Sequence, residues 1–262
     1  MKLHYRHYPS EHKSLTPIII LHGLLGSSQN WISTAKKLCL TRDVYALDLR
    51  NHGKSPHADS MEVSDTAQDV IEFINSQSIP SAILLGHSRG GKIAMYLACH
   101  CPLLVENLII VDIAPKKYSL HHEDAFKAMN SMPLGNIKSR KEAGLFLEPL
   151  IKDAPLRQFL ITNLIFKSNE TPYWQINLSA LTNNQELMTE CSMQQGMDSF
   201  GKKTLFIKGG KSNYITNTDF SAIQGFFPNS SLQTINDSGH NPHVETQGKF
   251  LQIVNEFINH SK

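Results

Sequence analysis

The chain has 262 residues, 40% hydrophobic and 18% charged, with Lys+Arg 25 against Asp+Glu 23 and a formal net charge of +2. That is long enough for one α/β domain with an insertion, and charges scattered without blocks exclude an electrostatic footprint for nucleic acid or an anionic membrane surface. No apolar run approaches membrane-spanning length, Met1 to Arg6 lacks the apolar core of an export signal, and Cys39, Cys99, Cys101 and Cys191 show no metal-ligand spacing, so free thiols in a cytoplasmic protein are expected.

Leu3 to Tyr8 alternates as an edge strand does, and Ser10 to Thr16 reads as a turn. Pro17-Ile18-Ile19-Ile20-Leu21 is a continuous apolar run, the pattern of a strand buried on both faces of a parallel sheet. It gives way to His22-Gly23-Leu24-Leu25-Gly26-Ser27, a glycine-rich turn ahead of a helix near Gln29 to Leu40. Val44 to Leu47 is the next strand and ends in Asp48-Leu49-Arg50-Asn51-His52-Gly53. Asp48 and Arg50 are expected to pair or to satisfy loop backbone groups, and His52 to be structural as well. A helix over Asp65 to Asn75 follows, with Ala67, Val70, Ile71 and Ile74 on one face.

Ala82 to Leu85 then leads through Gly86-His87-Ser88-Arg89-Gly90-Gly91 into a helical pattern from Lys92 to Cys99. Strand, sharp turn with a serine at its apex, then helix is the setting in which G-x-S-x-G makes a nucleophile elbow. The glycines have a physical role: a serine in a strained backbone conformation needs neighbours without Cβ atoms so that strand and helix can approach.

Leu103 to Val111 predicts a buried strand that delivers Asp112 to the carboxyl edge of the sheet, where α/β proteins build their sites. From Lys116 to Gln195 the apolar spacing is helical, broken at Pro133, Pro149, Pro155 and Pro172, with no convincing strand. This predicts a helical cap, residues 116–195, inserted into a core formed by 1–115 and 196–262. Phe126, Met129, Phe146, Leu147, Phe159, Phe166 and Trp174 are the cap side chains available to line a pocket, most of them packing the cap against itself. Thr204 to Lys208 and Leu232 to Ile235 are the last strands, and an amphipathic helix from about Thr246 to Ile258 closes the chain. The whole pattern predicts a mostly parallel, doubly wound sheet. Cys99-His100-Cys101 reads as small apolar residues near a helix end, not as a metal site.

A serine hydroxyl needs a base within reach and an acid to orient that base. His240 is the candidate base: it lies on the loop after the final strand, and Gly239 permits a tight approach; His243 is the alternative. The acid is sought at Asp112, at Asp237, or in Lys211-Ser212-Asn213, a segment with no carboxylate where Asn213 could only orient the ring. Asp112 is preferred, since Asp237 would more naturally satisfy its own loop. The backbone N–H groups of Leu24 and Arg89 are the candidate oxyanion donors.

The strings His22 to Ser27, Asp48 to Gly53 with Ser55-Pro56, and Gly86-His87-Ser88 through Gly90-Gly91-Lys92 resemble the α/β-hydrolase superfamily, most closely the YbfF-like bacterial esterases and related α/β-hydrolase domain-containing proteins. The resemblance implies an inserted cap, hydrolysis of short- and medium-chain acyl esters with acyl-CoA thioesters as a further class, no cofactor or metal, and a triad acid after the strand following the elbow, which agrees with Asp112. Such elbows usually carry Met or another neutral residue after the serine, whereas this chain has Arg89. Its side chain either pairs with an acid or draws anionic acyl groups or CoA phosphates toward the pocket. The expected partner is thus a small acyl ester or thioester, with no nucleic acid and no membrane, acted on by a monomer or homodimer. The rival readings are a C–C hydrolase or a lyase of the same fold, and a binding or receptor protein that retains the triad for ligand capture.

Overall fold

The computed structural model describes residues 1–12, 15–120, 122–216 and 218–259. Its strands are β1 (Tyr5–Tyr8), β2 (Ile18–Leu21), β3 (Val44–Leu47), β4 (Ala82–His87), β5 (Val105–Val111), β6 (Leu164–Ile165), β7 (Tyr173–Trp174), β8 (Thr204–Gly209) and β9 (Ser230–Ile235). The helices are α1 (Ile32–Leu38), α2 (Val63–Ser76), α3 (Arg89–His100), α4 (Glu123–Asn130), α5 (Arg140–Leu147), α6 (Ala154–Ile161), α7 (Leu178–Asn183), α8 (Gln185–Thr189), α9 (Asp219–Phe226), α10 (Pro242–Glu245) and α11 (Gln247–Asn259).

Seven strands form one sheet in the order β1-β3-β2-β4-β5-β8-β9, with β4 at its centre. Every neighbouring pair is parallel except β1, which runs antiparallel along β3 at the edge. The period of two explains why the inner strands read as unbroken apolar runs. Ile19 and Leu21 of β2 join Leu84, Leu108 and Phe206 in a layer under α2, α3 and α9. Ile18 and Ile20 join Leu85, Ile109 and Ile207 in the opposite layer, closed by Leu38 of α1 and Phe250 of α11. The two faces are therefore both core, which leaves the strand ends, and the loops at the carboxyl edge, for chemistry.

Between β5 and β8 the chain builds α4 to α8 with an apolar cluster of its own, including Phe126, Met129, Leu147, Leu160 and Leu181. Leu25 and Met61, from loops of the sheet layer, belong to the same cluster, which seats this helical layer over the turn after β2. It also contains the small antiparallel hairpin β6–β7, where no strand was expected. Two-residue strands are too short to register as alternation, and the reversal is set by Asn169 at φ 60 and by Pro172. The strand expected from Leu103 starts at Val105, because Pro102–Leu104 forms a 3₁₀ turn with proline at its first position. The helix expected from Gln29 is divided into a 3₁₀ turn, Ser28–Trp31, capped by Ser27, and α1. Of the turn expected over 10–16, Lys13 and Ser14 lie outside the described residues. Among the described residues no helix is long and apolar enough to cross a membrane.

Candidate active site

Ser88 sits between β4 and α3 with φ 50 and ψ −119, a left-handed conformation that costs a non-glycine residue about 1–3 kcal/mol. The surroundings hold it there. Its N–H donates to the Val111 carbonyl of β5 at 3.0 Å, and its carbonyl accepts from the Gly91 and Lys92 N–H groups at 2.9 and 3.2 Å. The flanking glycines are required by contact: a Cβ on Gly86 would lie 2.4 Å from the Gly90 oxygen, and one on Gly90 would lie 2.2 Å from the Leu21 oxygen. Strand and helix meet closely at the elbow, and the neighbouring β2 meets it as well.

Asp112 follows β5 directly and is fully buried, with its own backbone at φ 49. Its Oδ1 accepts from the Gly209 N–H at 2.9 Å, and its Oδ2 accepts from the Ser212 hydroxyl and from His240 Nδ1, the latter at 2.8 Å. With Nδ1–H committed to the carboxylate, the Nε2 of His240 is left as the acceptor, the tautomer a general base requires. The ring is held from two further sides. Tyr214 stacks on it at 3.9 Å with an 18° interplanar angle, and His87 Nε2 donates to the His240 carbonyl at 2.8 Å. The alternatives are engaged elsewhere: Asp237 is exposed and pairs with Lys249 at 2.9 Å. His243 stacks on Trp31 at 4.0 Å, where burial above all pulls its pKa down to about 3. From the sequence alone, Ser212 reads only as part of an acid-free segment. The loop after β8 carries no acid, but it supplies the acid at Asp112 with a donor.

The turn after β2 abuts the elbow, since a Cβ on Gly23 would lie 3.2 Å from the Ser88 Cβ. Two buried histidines pin this turn. His22 Nδ1 donates to the Gly23 carbonyl at 2.8 Å while its Nε2 accepts from the Leu49 N–H at 3.0 Å. His52 Nε2 accepts from the Leu25 N–H at 3.2 Å while its Nδ1 donates to the Arg50 carbonyl at 2.9 Å. Burial lowers the pKa of both, that of His52 to about 3, so each is a neutral tie between loops. Among the described residues the N–H groups of Leu24 and Arg89 donate to no protein acceptor, and both residues line one cavity with Ser88. Asp48 and Arg50 do not pair with each other: Asp48 accepts from the Ser28 and Lys54 N–H groups at 2.7 and 2.9 Å, and Arg50 pairs with Asp69 at 2.6 Å.

The cavity is partly open to solvent, and Ile113, Tyr118, Phe126, Met188 and Tyr214 form much of its apolar wall. Of the seven cap side chains considered from the sequence only Phe126 lines it; the others are packed within the cap cluster. Two cations also line the cavity. Lys92 Nζ donates to the carbonyls of Met188, Thr189 and Glu190 at 3.3, 2.7 and 2.8 Å, fastening the end of α8, and burial lowers its pKa to about 8. Arg89 donates from Nη2 to the Met61 carbonyl and joins no ion pair among the described residues, so the acid partner considered for it is not present there. Among the described residues no group of three or more His, Cys, Asp or Glu is placed to hold a metal, and the four cysteines are free thiols.

Residues 16–133 match the family described as the alpha/beta hydrolase fold. A Haemophilus influenzae protein named as an esterase/lipase is 34% identical over 259 residues, covering 98% of this chain and 88% of its own length. The Escherichia coli esterase YbfF is 28% identical, covering 99% of this chain and all 100% of its own. A solved structure titled as a marine microorganism esterase superposes with a TM-score of 0.93 at 38% identity, covering 98% of this chain and 99% of the other. With its central parallel sheet, its elbow and esterase- and lipase-named relatives along almost its whole length, the chain belongs to the α/β-hydrolase family.

Proposed function

We propose that the protein is a serine esterase that cleaves short- and medium-chain acyl esters, and acyl-CoA thioesters as a further class, through an acyl-enzyme. Ser88 Oγ attacks the ester carbonyl as its proton passes to His240 Nε2. The Leu24 and Arg89 N–H groups receive the oxyanion, and His240 returns the proton to the leaving alcohol or thiol. Water, deprotonated by the same histidine, then attacks the acyl-enzyme and releases the acid. Asp112 orients the imidazole and stabilises the imidazolium, and the reaction requires no cofactor. Residues 116–195 serve as the lid that shapes the acyl pocket and excludes water.

The observation that carries this reading is the 2.8 Å contact between His240 Nδ1 and a buried Asp112 whose carboxylate also accepts from the Gly209 N–H and the Ser212 hydroxyl. A buried carboxylate fixed in this way by two donors from the loop after β8 is held in place to orient the ring. The free thiols Cys39, Cys99, Cys101 and Cys191 favour a cytoplasmic setting. The test is hydrolysis of p-nitrophenyl acyl esters of increasing chain length by wild type and by Ser88→Ala. Turnover that the substitution abolishes supports the reading, and the optimal chain length sizes the pocket. No turnover by wild type on any chain length would favour the lyase or ligand-capture alternatives.

A further inference from the structure

Two of the loops that build the site meet on one hydroxyl. The Tyr118 oxygen accepts from the Ala114 N–H at 2.8 Å, and its proton is donated to the Tyr214 carbonyl, also at 2.8 Å. Ala114 belongs to the loop after β5 that carries Asp112, and Tyr214 to the loop after β8 that carries Ser212. The His240 ring touches one side chain from each loop, Asp112 at its Nδ1 edge and Tyr214 on its face. Tyr214 is held at both ends of its backbone: its carbonyl by Tyr118, and its N–H by Ser212 Oγ at 3.2 Å, whose hydroxyl in turn donates to Asp112. Tyr118 is itself anchored to the cap, its N–H donating to the Thr189 carbonyl at the end of α8 at 3.0 Å, with Lys92 Nζ 5.0 Å from its ring centre. Both tyrosine rings line the cavity with Ser88. A wall needs only the rings; phenylalanine at 118 would supply one and leave the Ala114 N–H and the Tyr214 carbonyl without this bridge.

We propose that Tyr118 is a positioning residue for proton transfer at Ser88: its hydroxyl sets the Tyr214 backbone, and the Tyr214 ring in turn holds His240 with Nε2 toward the serine. This rests on the serine esterase reading above and adds to it a residue that acts through the base. The hydrogen bond to Asp112 fixes the imidazole at one atom and leaves it free to swing about that point. A flat ring stacked at 3.9 Å and 18° on its face removes that swing, provided the stacking ring is itself fixed. Near-attack geometry is steep in distance, so a base displaced by about 1 Å can cost up to roughly a hundredfold in rate. The bridge therefore acts on kcat through His240, while substrate still meets the same aromatic wall.

The experiment measures kcat and KM on p-nitrophenyl butyrate for wild type, Tyr118→Phe, Tyr214→Leu, Tyr214→Phe and the double variant Tyr118→Phe/Tyr214→Leu, with active sites counted by end-point labelling with a fluorophosphonate. Tyr118→Phe keeps the ring in the wall, so KM should stay within about twofold while kcat per site falls roughly tenfold. Tyr214→Leu should lower kcat by roughly tenfold or more, and Tyr214→Phe, which keeps the aromatic face, should recover most of that loss. Because both residues act on His240 along one route, the double variant should be within about twofold of Tyr214→Leu. A hydroxyl that only stiffened the fold would lower the Tm and the count of labelled sites but leave kcat per site unchanged, and one acting independently of Tyr214 would add its full loss to that of Tyr214→Leu. Either result overturns the proposal and leaves the esterase reading standing, as does equal kcat for Tyr214→Leu and Tyr214→Phe, which needs no variant of Tyr118. A second arm reads the base without turnover: the rate of Ser88 phosphonylation should fall in Tyr118→Phe and be no slower in the double variant than in Tyr214→Leu. If wild type hydrolyses no ester but is phosphonylated, the esterase reading fails and these labelling rates alone decide the proposal. If wild type is neither active nor labelled, His240 does not activate Ser88 and both are wrong.

Discussion

Replacing Asp112 by Asn tests the proposed acid without changing its shape. The Asn oxygen can still accept from the Gly209 N–H, now 2.9 Å from Oδ1, which turns the amide NH₂ toward Ser212 and toward His240 Nδ1, now 2.8 Å from Oδ2. The hydroxyl of Ser212 can rotate and accept. The imidazole can satisfy an N–H donor only by making Nδ1 the acceptor, which puts its proton on Nε2 and removes the lone pair that would take the serine proton. The neutral amide also withdraws the anion that balances the imidazolium. In proteases with the same Ser-His-Asp logic this change costs about 10⁴ in kcat, equivalent to roughly 5 kcal/mol of barrier. A kcat loss of about 10³–10⁴ on a p-nitrophenyl ester is therefore expected for Asp112→Asn, with KM little changed. Ser212→Ala removes one donor but leaves the carboxylate charged and aimed at His240, so its loss should be about tenfold. An Asp112→Asn enzyme within tenfold of wild type, or a Ser212→Ala enzyme equally impaired, would refute the assignment.

Two further outcomes follow from the backbone and the buried rings. Because Ser88 sits at φ 50 and ψ −119, Ser88→Gly should abolish turnover yet raise the Tm by a few degrees as strain of about 1 kcal/mol or more is relieved; a Tm equal to or below wild type would contradict the strain. His52 and His243 are held neutral with pKa values of about 3, against about 6.5 in an unfolded chain. Between these values the unfolded state binds the extra proton, so their contribution to stability is complete above about pH 6.5 and is lost as the pH falls toward 3, at up to ~1.4 kcal/mol per pH unit for each ring. His243→Phe, which can keep the stack on Trp31, should flatten the fall of Tm over that window; an unchanged slope would show that the ring does not titrate with unfolding.

Much of this protein was legible in its residues because the relevant physics is local or periodic. Ile18 to Leu21 reads as a two-faced strand because every position is apolar, and the elbow reads as an elbow because only glycine fits at Gly86 and Gly90. Asp112 and His240 were reachable because a parallel sheet delivers its loops to one edge, so their places after β5 and β9 restrict where they can meet. What remained hidden depended on which distant groups pack against each other. Ser212 carries no signature of an acid's partner until β8 lies beside β5 and its loop meets Asp112. His22 and His52 are ties between loops separated in sequence, and of the seven cap side chains singled out from the sequence, the one that reaches the cavity, Phe126, is set apart by the direction it faces. The sequence by itself determined the sheet, the elbow and the chemistry available at its edge, since those follow from side-chain period and backbone sterics. Only the tertiary structure decided that Arg89 is buried without an acid beside Ser88, because a counter-charge is supplied or withheld by residues far apart in the chain.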